Sequence, residues 1–177
     1  EGAARGAIVH GRGNAGLEDL APELDHTVGN GVKGQAALLG FSAPGAPQLF
    51  AEGLHIVPHA DGTTAIGSTS ERDYDDPNAT DAQLDAVIET AMRALPVLHG
   101  AKVLERWAGL RPRARSRAPM LGAHPVREGE FIANGGFKIG FGMAPKVADV
   151  MARLVLEGED LIPPDFWVEA SLPKGAS

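Results

Sequence analysis

Apolar positions along the chain recur with two periods, and each period predicts a different kind of element. Ala7, Ile8 and Val9 form a short apolar run stopped by His10-Gly11, which reads as a buried strand entering a turn. Residues 16–24 have room for a helical turn, Gly29-Asn30-Gly31 breaks what precedes it, and a second apolar run covers residues 35–41. The β-prone runs Leu54-His55-Ile56-Val57-Pro58 and Thr63-Thr64-Ala65-Ile66-Gly67-Ser68 flank His59-Ala60-Asp61-Gly62. An Asp-Gly between two such runs signals an antiparallel hairpin. Thr80-Asp81-Ala82-Gln83 fits a capping box, and Leu84, Val87, Ile88, Ala91, Met92 and Leu95 then recur at helical spacing until Pro96. Strands are expected at residues 103–110 and 130–133, separated by an irregular segment rich in Pro and Arg. In the last helix Met143, Val147, Val150, Met151 and Leu154 share a stripe, with Pro145 near its start and Gly158 after its end. Residues 165–169 are expected to pack Phe166 and Trp167 on the body, and the last six or so residues to form a loose tail. Hairpin-paired strands interrupted by two helices define the α+β class, with no alternation of parallel βα units.

Composition narrows the function. The chain has 177 residues, 44% hydrophobic and 22% charged, which fits one folded domain or part of a larger one. A net charge of −7 argues against a protein that grips phosphate backbones, so no nucleic-acid partner is expected. The absence of cysteine excludes disulfides, Cys-ligated zinc, iron–sulfur clusters and thiol nucleophiles, and points most simply to a cytoplasmic location. No stretch approaches the roughly 20 apolar residues of a membrane span, and residues 1–6 lack the features of a signal peptide. They also lack an initiator Met, so a processed or partial chain is expected.

Gly11-Arg12-Gly13-Asn14-Ala15-Gly16 matches the glycine spacing of a dinucleotide loop after a strand. Pro22 cuts the following helix short, however, and no Asp or Glu lies between Asp25 and Glu52 to hold a ribose hydroxyl, so a plain Gly-rich turn is favoured. The six histidines show no zinc-binding spacing, and no Ser sits in a nucleophile elbow, so neither a metal site nor a hydrolase triad is expected. Residues 102–127 hold seven of the sixteen Lys and Arg. For Arg113, Arg115 and Arg117 a solvated loop balancing the acidic residues 71–85 is the favoured reading. Arg111, at the end of a strand and stiffened by Pro112, suits either a structural ion pair or a bidentate grip on a carboxylate. Gly135 to Pro145 runs from a strand into the last helix through four glycines, more than a plain turn needs, so a ligand or another backbone can approach closely, and the helix N-terminus behind it favours negative charge.

Taken as an ordered set, four segments resemble the C-terminal half of the FAD-dependent oxidoreductases of the D-amino-acid oxidase family, closest to the glycine and sarcosine oxidase branch. They are Leu54 to Pro58 with Asp61-Gly62 and Ala65 to Thr69; Trp107 to Pro112; Pro119 to Gly122; and Gly136 to Pro145. The resemblance spans roughly residues 32–158 and implies FAD as cofactor. It also implies an antiparallel or mixed sheet as the substrate domain, with flanking helices, plus the last strand and C-terminal helix of an FAD-binding domain. Residues 1–33 are then the end of the FAD-binding domain and its connection, 34–132 the substrate sheet, 133–170 the flavin-facing segment and last helix, and 171–177 a tail. The region holding the ADP moiety would lie upstream, in the same or another chain.

By that resemblance Arg111 pairs with the substrate carboxylate. Gly136, Phe137, Lys138, Ile139, Gly140, Phe141 and Gly142 lie along the isoalloxazine, Lys138 assists flavin or substrate, and His55 stands where relatives place a substrate-contacting tyrosine. No side chain acts as nucleophile or base. The implied activity is oxidation of an amine or amino acid by hydride transfer to flavin N5, and a homo-oligomer is possible. His55 for tyrosine, Ser116-Arg117 for Asp-Gly and Lys138 for arginine depart from the glycine oxidase pattern, so the substrate stays open and the pocket is not expected to be that of a standard glycine oxidase. The alternative is a non-catalytic binding or assembly module derived from this fold, and a nicotinamide-binding domain ranks last.

Overall fold

The computed structural model describes residues 6–173. In chain order its elements are β1 (Ile8–His10), α1 (Gly13–Glu23), β2 (Gly29–Leu39), β3 (Leu49–Ala51), β4 (Leu54–Pro58), β5 (Thr64–Gly67), α2 (Ala82–Ala94), β6 (Val103–Ala114), β7 (Met120–Ala123), β8 (Glu130–Asn134) and α3 (Gly140–Glu157). Short 3-10 turns stand at Pro96–Leu98, Pro164–Phe166 and Val168–Ser171. The chain divides into two compact units, residues 32–110 in one and residues 1–31 with 111–177 in the other. Most of the expected tail, and the first five residues, lie outside the described residues.

The unit of residues 32–110 is built on a sheet ordered β3-β4-β5-β2-β6, mixing the predicted hairpin with neighbouring antiparallel pairs. Its alternation is strict. Leu54, Ile56, Ile66, Ala37 and Leu39 face α2 and close a core with Leu84, Val87, Ala91 and Leu98, while His55, Val57, Ala65 and Gly67 alternate to the other face. The N-cap of α2 is Asp81 rather than the expected Thr80: its carboxylate accepts the Gln83 N–H at 2.9 Å. The fully buried Gln35 explains that choice. Its amide donates to Asp81 at 2.9 Å and to Glu71 at 3.0 Å, and its carbonyl accepts the Asp81 N–H at 2.8 Å, tying β2 to the start of α2. Lys33, 3% exposed, places its ammonium 3.6 Å from Glu71 and 3.8 Å from Asp81, the neutralisation a buried cation requires.

The other unit carries a three-stranded sheet, β1-β8-β7, with β1 parallel to β8 and β8 antiparallel to β7. Leu17, Leu20, Val28, Ala114, Met120, Ile132 and Val168 form one core cluster, and Leu121, Val150, Met151 and Ile162 a second under α3. Several expectations are corrected here. Helix α1 runs eleven residues because Pro22 sits in its last turn, where the missing N–H forgoes one bond, to Glu18 O, and the Leu24 N–H still reaches Leu20 O at 3.1 Å. Gly29 opens β2 instead of breaking the chain, since a Cβ there would meet Arg113 O at 2.5 Å and Leu17 Cδ1 at 2.9 Å. Strand β6 continues through Arg111, Pro112 and Arg113, where an irregular segment is expected from composition. It is a sheet edge, where proline costs no ladder bond, and Pro112 O accepts the Phe137 N–H at 2.9 Å. Strand β7 has only four residues, too few for the period to register. Ser171 and Leu172, expected in the tail, pack inward: Ser171 is fully buried and its hydroxyl donates to Ser116 Oγ at 3.1 Å.

Candidate functional site

A cavity of about 440 Å3 opens between β1, β8 and the start of α3, within the size range of small-molecule pockets. Its walls are apolar and small: Val9, Leu121, Met143, Val147 and Met151 on one side, Gly11, Gly13, Gly135, Gly136 and Gly140 along the rim. The glycines are there for two different reasons. Gly135 adopts φ +74°, and a Cβ on it would meet Ala114 Cβ at 2.6 Å, so it lets the turn close. A Cβ on Gly13 or Gly140 would find only open space or one atom at 4.0 Å, so these two leave the cavity mouth free for a ligand. No side chain caps α3, which leaves first-turn N–H groups and the positive end of the helix dipole beside Gly140. Asn134, 8% exposed, secures the rim by donating to Gly13 O at 2.9 Å and accepting the Gly135 N–H at 2.8 Å.

Of the residues expected along a flavin, Gly136, Phe137 and Gly140 line this cavity. Lys138, Ile139, Phe141 and Gly142 are not in its lining, and Phe141 is 98% exposed. Phe137 holds φ +46°, uncommon for a side chain with a Cβ, and its ring lies between two cations: the Arg113 guanidinium 5.8 Å and the Lys138 ammonium 5.6 Å from its centroid. Arg113 thus reaches the Phe137 ring from strand β6 and is not part of a solvated loop. The acidic segment is balanced instead by Lys33, which pairs with Glu71 and Asp81, and by Arg106, which pairs with Asp85. Arg111 is half-buried and immediately precedes Pro112, which lines the cavity. His55 belongs to the unit of residues 32–110, where it faces the exposed ring of Phe50 at 4.8 Å. Pattern reading misses Asn134 and sets Gly11 and Gly13 aside as a plain turn, whereas Gly135 falls in the glycine-dense segment it marks for close approach.

A second, polar cavity holds His10, Glu23, His124 and Arg127. His10 Nε2 lies 2.5 Å from Glu130, whose carboxyl is held below the usual carboxylate range first by that hydrogen bond and then by Arg127. Arg127 also pairs with Glu23. Burial pushes the His124 imidazole below its ordinary value against the opposing pull of Glu23, 3.6 Å away. Through Glu23 these pairs join α1 to the turn of the β7–β8 hairpin.

Comparison with known proteins puts the glycine-rimmed cavity in context. The glycine oxidases of Pseudomonas putida and Pseudomonas aeruginosa are 33% and 32% identical over 134 and 140 residues, covering 75% and 78% of this chain but 37% and 38% of those proteins. The chain thus spans about two-fifths of the length of the curated relatives it matches. The crystal structure of glycine oxidase from Geobacillus kaustophilus superposes with a TM-score of 0.78 at 26% identity, covering 92% of this chain and 45% of that one. Iminodiacetate oxidase from Chelativorans sp. BNC1 shares the fold, with a TM-score of 0.79 at 22% identity over 93% of this chain and 46% of that one. Residues 8–154 match the DAO family, described as FAD dependent oxidoreductase, and the chain belongs to that FAD-dependent family.

Proposed function

We propose that this chain supplies the substrate sheet and the flavin-facing C-terminal part of an FAD-dependent oxidase of amines or amino acids. The observation that carries the reading is the apolar cavity lined by Gly13 and Gly140, which leave open space beside their backbone, with an uncapped helix N-terminus at Gly140. A flat aromatic ring system with a polar, negatively polarisable edge would fit there: Gly13 and Gly140 leave room for it beside the backbone, and the α3 N-terminus would favour negative charge on that edge. Bound FAD supplies a two-electron acceptor, taking the hydride that leaves the substrate α-carbon as the amine becomes an imine, which water then hydrolyses. The chain's own residues bind and orient. Arg111 holds the substrate carboxylate with a two-pronged grip, His55 contacts the rest of the substrate, and Lys138 and Arg113 fix the Phe137 ring at the cavity wall. The ADP-binding region is supplied by the unmatched remainder of a longer polypeptide or a partner chain, in a cytoplasmic protein.

Absorbance of the protein carrying its upstream region tests the cofactor: released flavin on denaturation supports this reading, and a flavin-free complete protein leaves the non-catalytic module. Arg111→Ala tests the substrate role. Removing a charged hydrogen-bond pair worth about 1.5–3 kcal/mol lowers kcat/KM for amino acids by roughly ten- to a hundredfold and spares amines without a carboxylate. Unchanged kinetics on amino acids would remove Arg111 from the site.

A further inference from the structure

The basic segment of residues 102–127 is only partly used by the glycine-rimmed cavity. A third cleft, of about 340 Å3, lies in the same unit, where the chain entering β2 meets the end of β6; Thr27, Gly29, Asn30, Arg113, Ala114 and Arg115 line it. Ala114, 1% exposed, packs into the core with Val28, so alternation along the extended chain sends Arg113 and Arg115, on either side of it, to the opposite face. The two walls are held close together. The Arg115 N–H donates to Val28 O at 2.8 Å, and a Cβ on Gly29 would meet Arg113 O at 2.5 Å. No Asp or Glu lines the cleft, and among the described residues no carboxylate pairs with either guanidinium. Two like charges about 7 Å apart along the chain repel one another, and in a polypeptide with 23 Asp and Glu no protein anion offsets these two.

We infer that this cleft is a site for a small dianionic oxyanion, the phosphoryl group of free phosphate or of a small phosphomonoester. Each guanidinium presents a planar fork of N–H donors that matches two phosphoryl oxygens, and the Thr27 hydroxyl and Asn30 amide add neutral donors from the other wall. The Arg113 guanidinium also lies 5.8 Å from the centroid of the Phe137 ring, a contact that reduces the side-chain freedom to be lost on binding. A carboxylate monoanion satisfies one fork and leaves the second charge unpaired, so the site prefers the dianion.

The test uses the protein carrying its upstream region, in phosphate-free buffer at pH 8, where a phosphoryl group is a dianion. Titration calorimetry with inorganic phosphate gives saturable one-to-one binding, at least roughly tenfold tighter than with acetate. Arg115→Gln, at an exposed side chain, weakens phosphate binding roughly tenfold or more with an unchanged melting temperature; Arg113→Gln weakens it likewise, and Arg117→Gln, outside the lining, leaves it as it was. Methyl phosphate separates the two sources: its binding assigns the site to phosphomonoesters, and its exclusion assigns it to the free ion. No saturable phosphate binding, equal affinity for acetate, binding that survives Arg115→Gln, or an equal loss in Arg117→Gln overturns the site.

Discussion

His124 presents a side chain only 1% exposed, and its Nδ1 accepts the Val126 N–H at 3.3 Å. Adding a proton there breaks that bond and leaves a buried charge, opposed only in part by Glu23 and Glu130 and disfavoured by Arg127 and His10. With the folded-state value below the unfolded one, the unfolded chain binds more protons, so the stabilisation is complete above about pH 6.5 and is lost as pH falls below it. The melting temperature is therefore expected to fall between pH 7 and pH 5.5 more steeply than in His124→Gln; parallel profiles would show that His124 does not carry the effect. Gly135 gives a second residue-level outcome. Its φ of +74° and the 2.6 Å that would separate an added methyl from Ala114 Cβ make Gly135→Ala destabilising by about 1–3 kcal/mol, read by urea unfolding. Neither role is legible in the sequence. His124 is one of six scattered histidines, and its burial comes from a hairpin whose first strand leaves no periodic trace.

Elements are most legible where one face repeats often. Helix α2 shows six apolar positions at helical spacing, and the hairpin β4–β5 pairs Ile56 with Ile66 around the Asp61-Gly62 turn as its alternation requires. Leu84 lies at the centre of that core and is fully buried, so Leu84→Ala is expected to cost about 2–5 kcal/mol by chemical denaturation. Asp81 belongs to the same element: its carboxyl is held below the usual range first by the Gln35 amide, so the stabilisation it gives is present above the unfolded value of 3.8 and is lost on acidification through the lower folded one. Boundaries are obscured where glycine and proline do tertiary work. Gly29 and Pro112 look like breakers from local propensity, yet each sits inside a strand because a close backbone neighbour or a sheet edge accommodates it. The candidate cavity is half-legible for the same reason. Gly136 and Gly140 stand out in a glycine-dense segment, while Gly11 and Gly13, about 120 residues away, join them only through the β1–β8 pairing.

At the scale of the whole molecule, several large apolar groups face outward: Phe141 is 98% exposed, Leu156 80%, Ile8 53% and Val9 46%. Among the described residues β1 pairs on one side only. This is the surface expected of a polypeptide whose relatives are more than twice its length. Produced by itself, the 177-residue chain is expected to bind a hydrophobic dye and to self-associate, and the double variant Phe141→Glu with Leu156→Glu to lower both signals; no change would place the sticky surface elsewhere. The pairing of Ile8 with Glu130 also sets an order of events during synthesis. The unit of residues 32–110 is continuous and can collapse as soon as it emerges, whereas β8, the partner of β1 among the described residues, is made about 120 residues after it. At about 5–20 residues per second, the apolar first strand waits roughly 6–24 s on the ribosome, longer than most small domains take to fold. For that interval the edge of β1 that β8 will take stays open, and a pause in translation before residue 130 prolongs it.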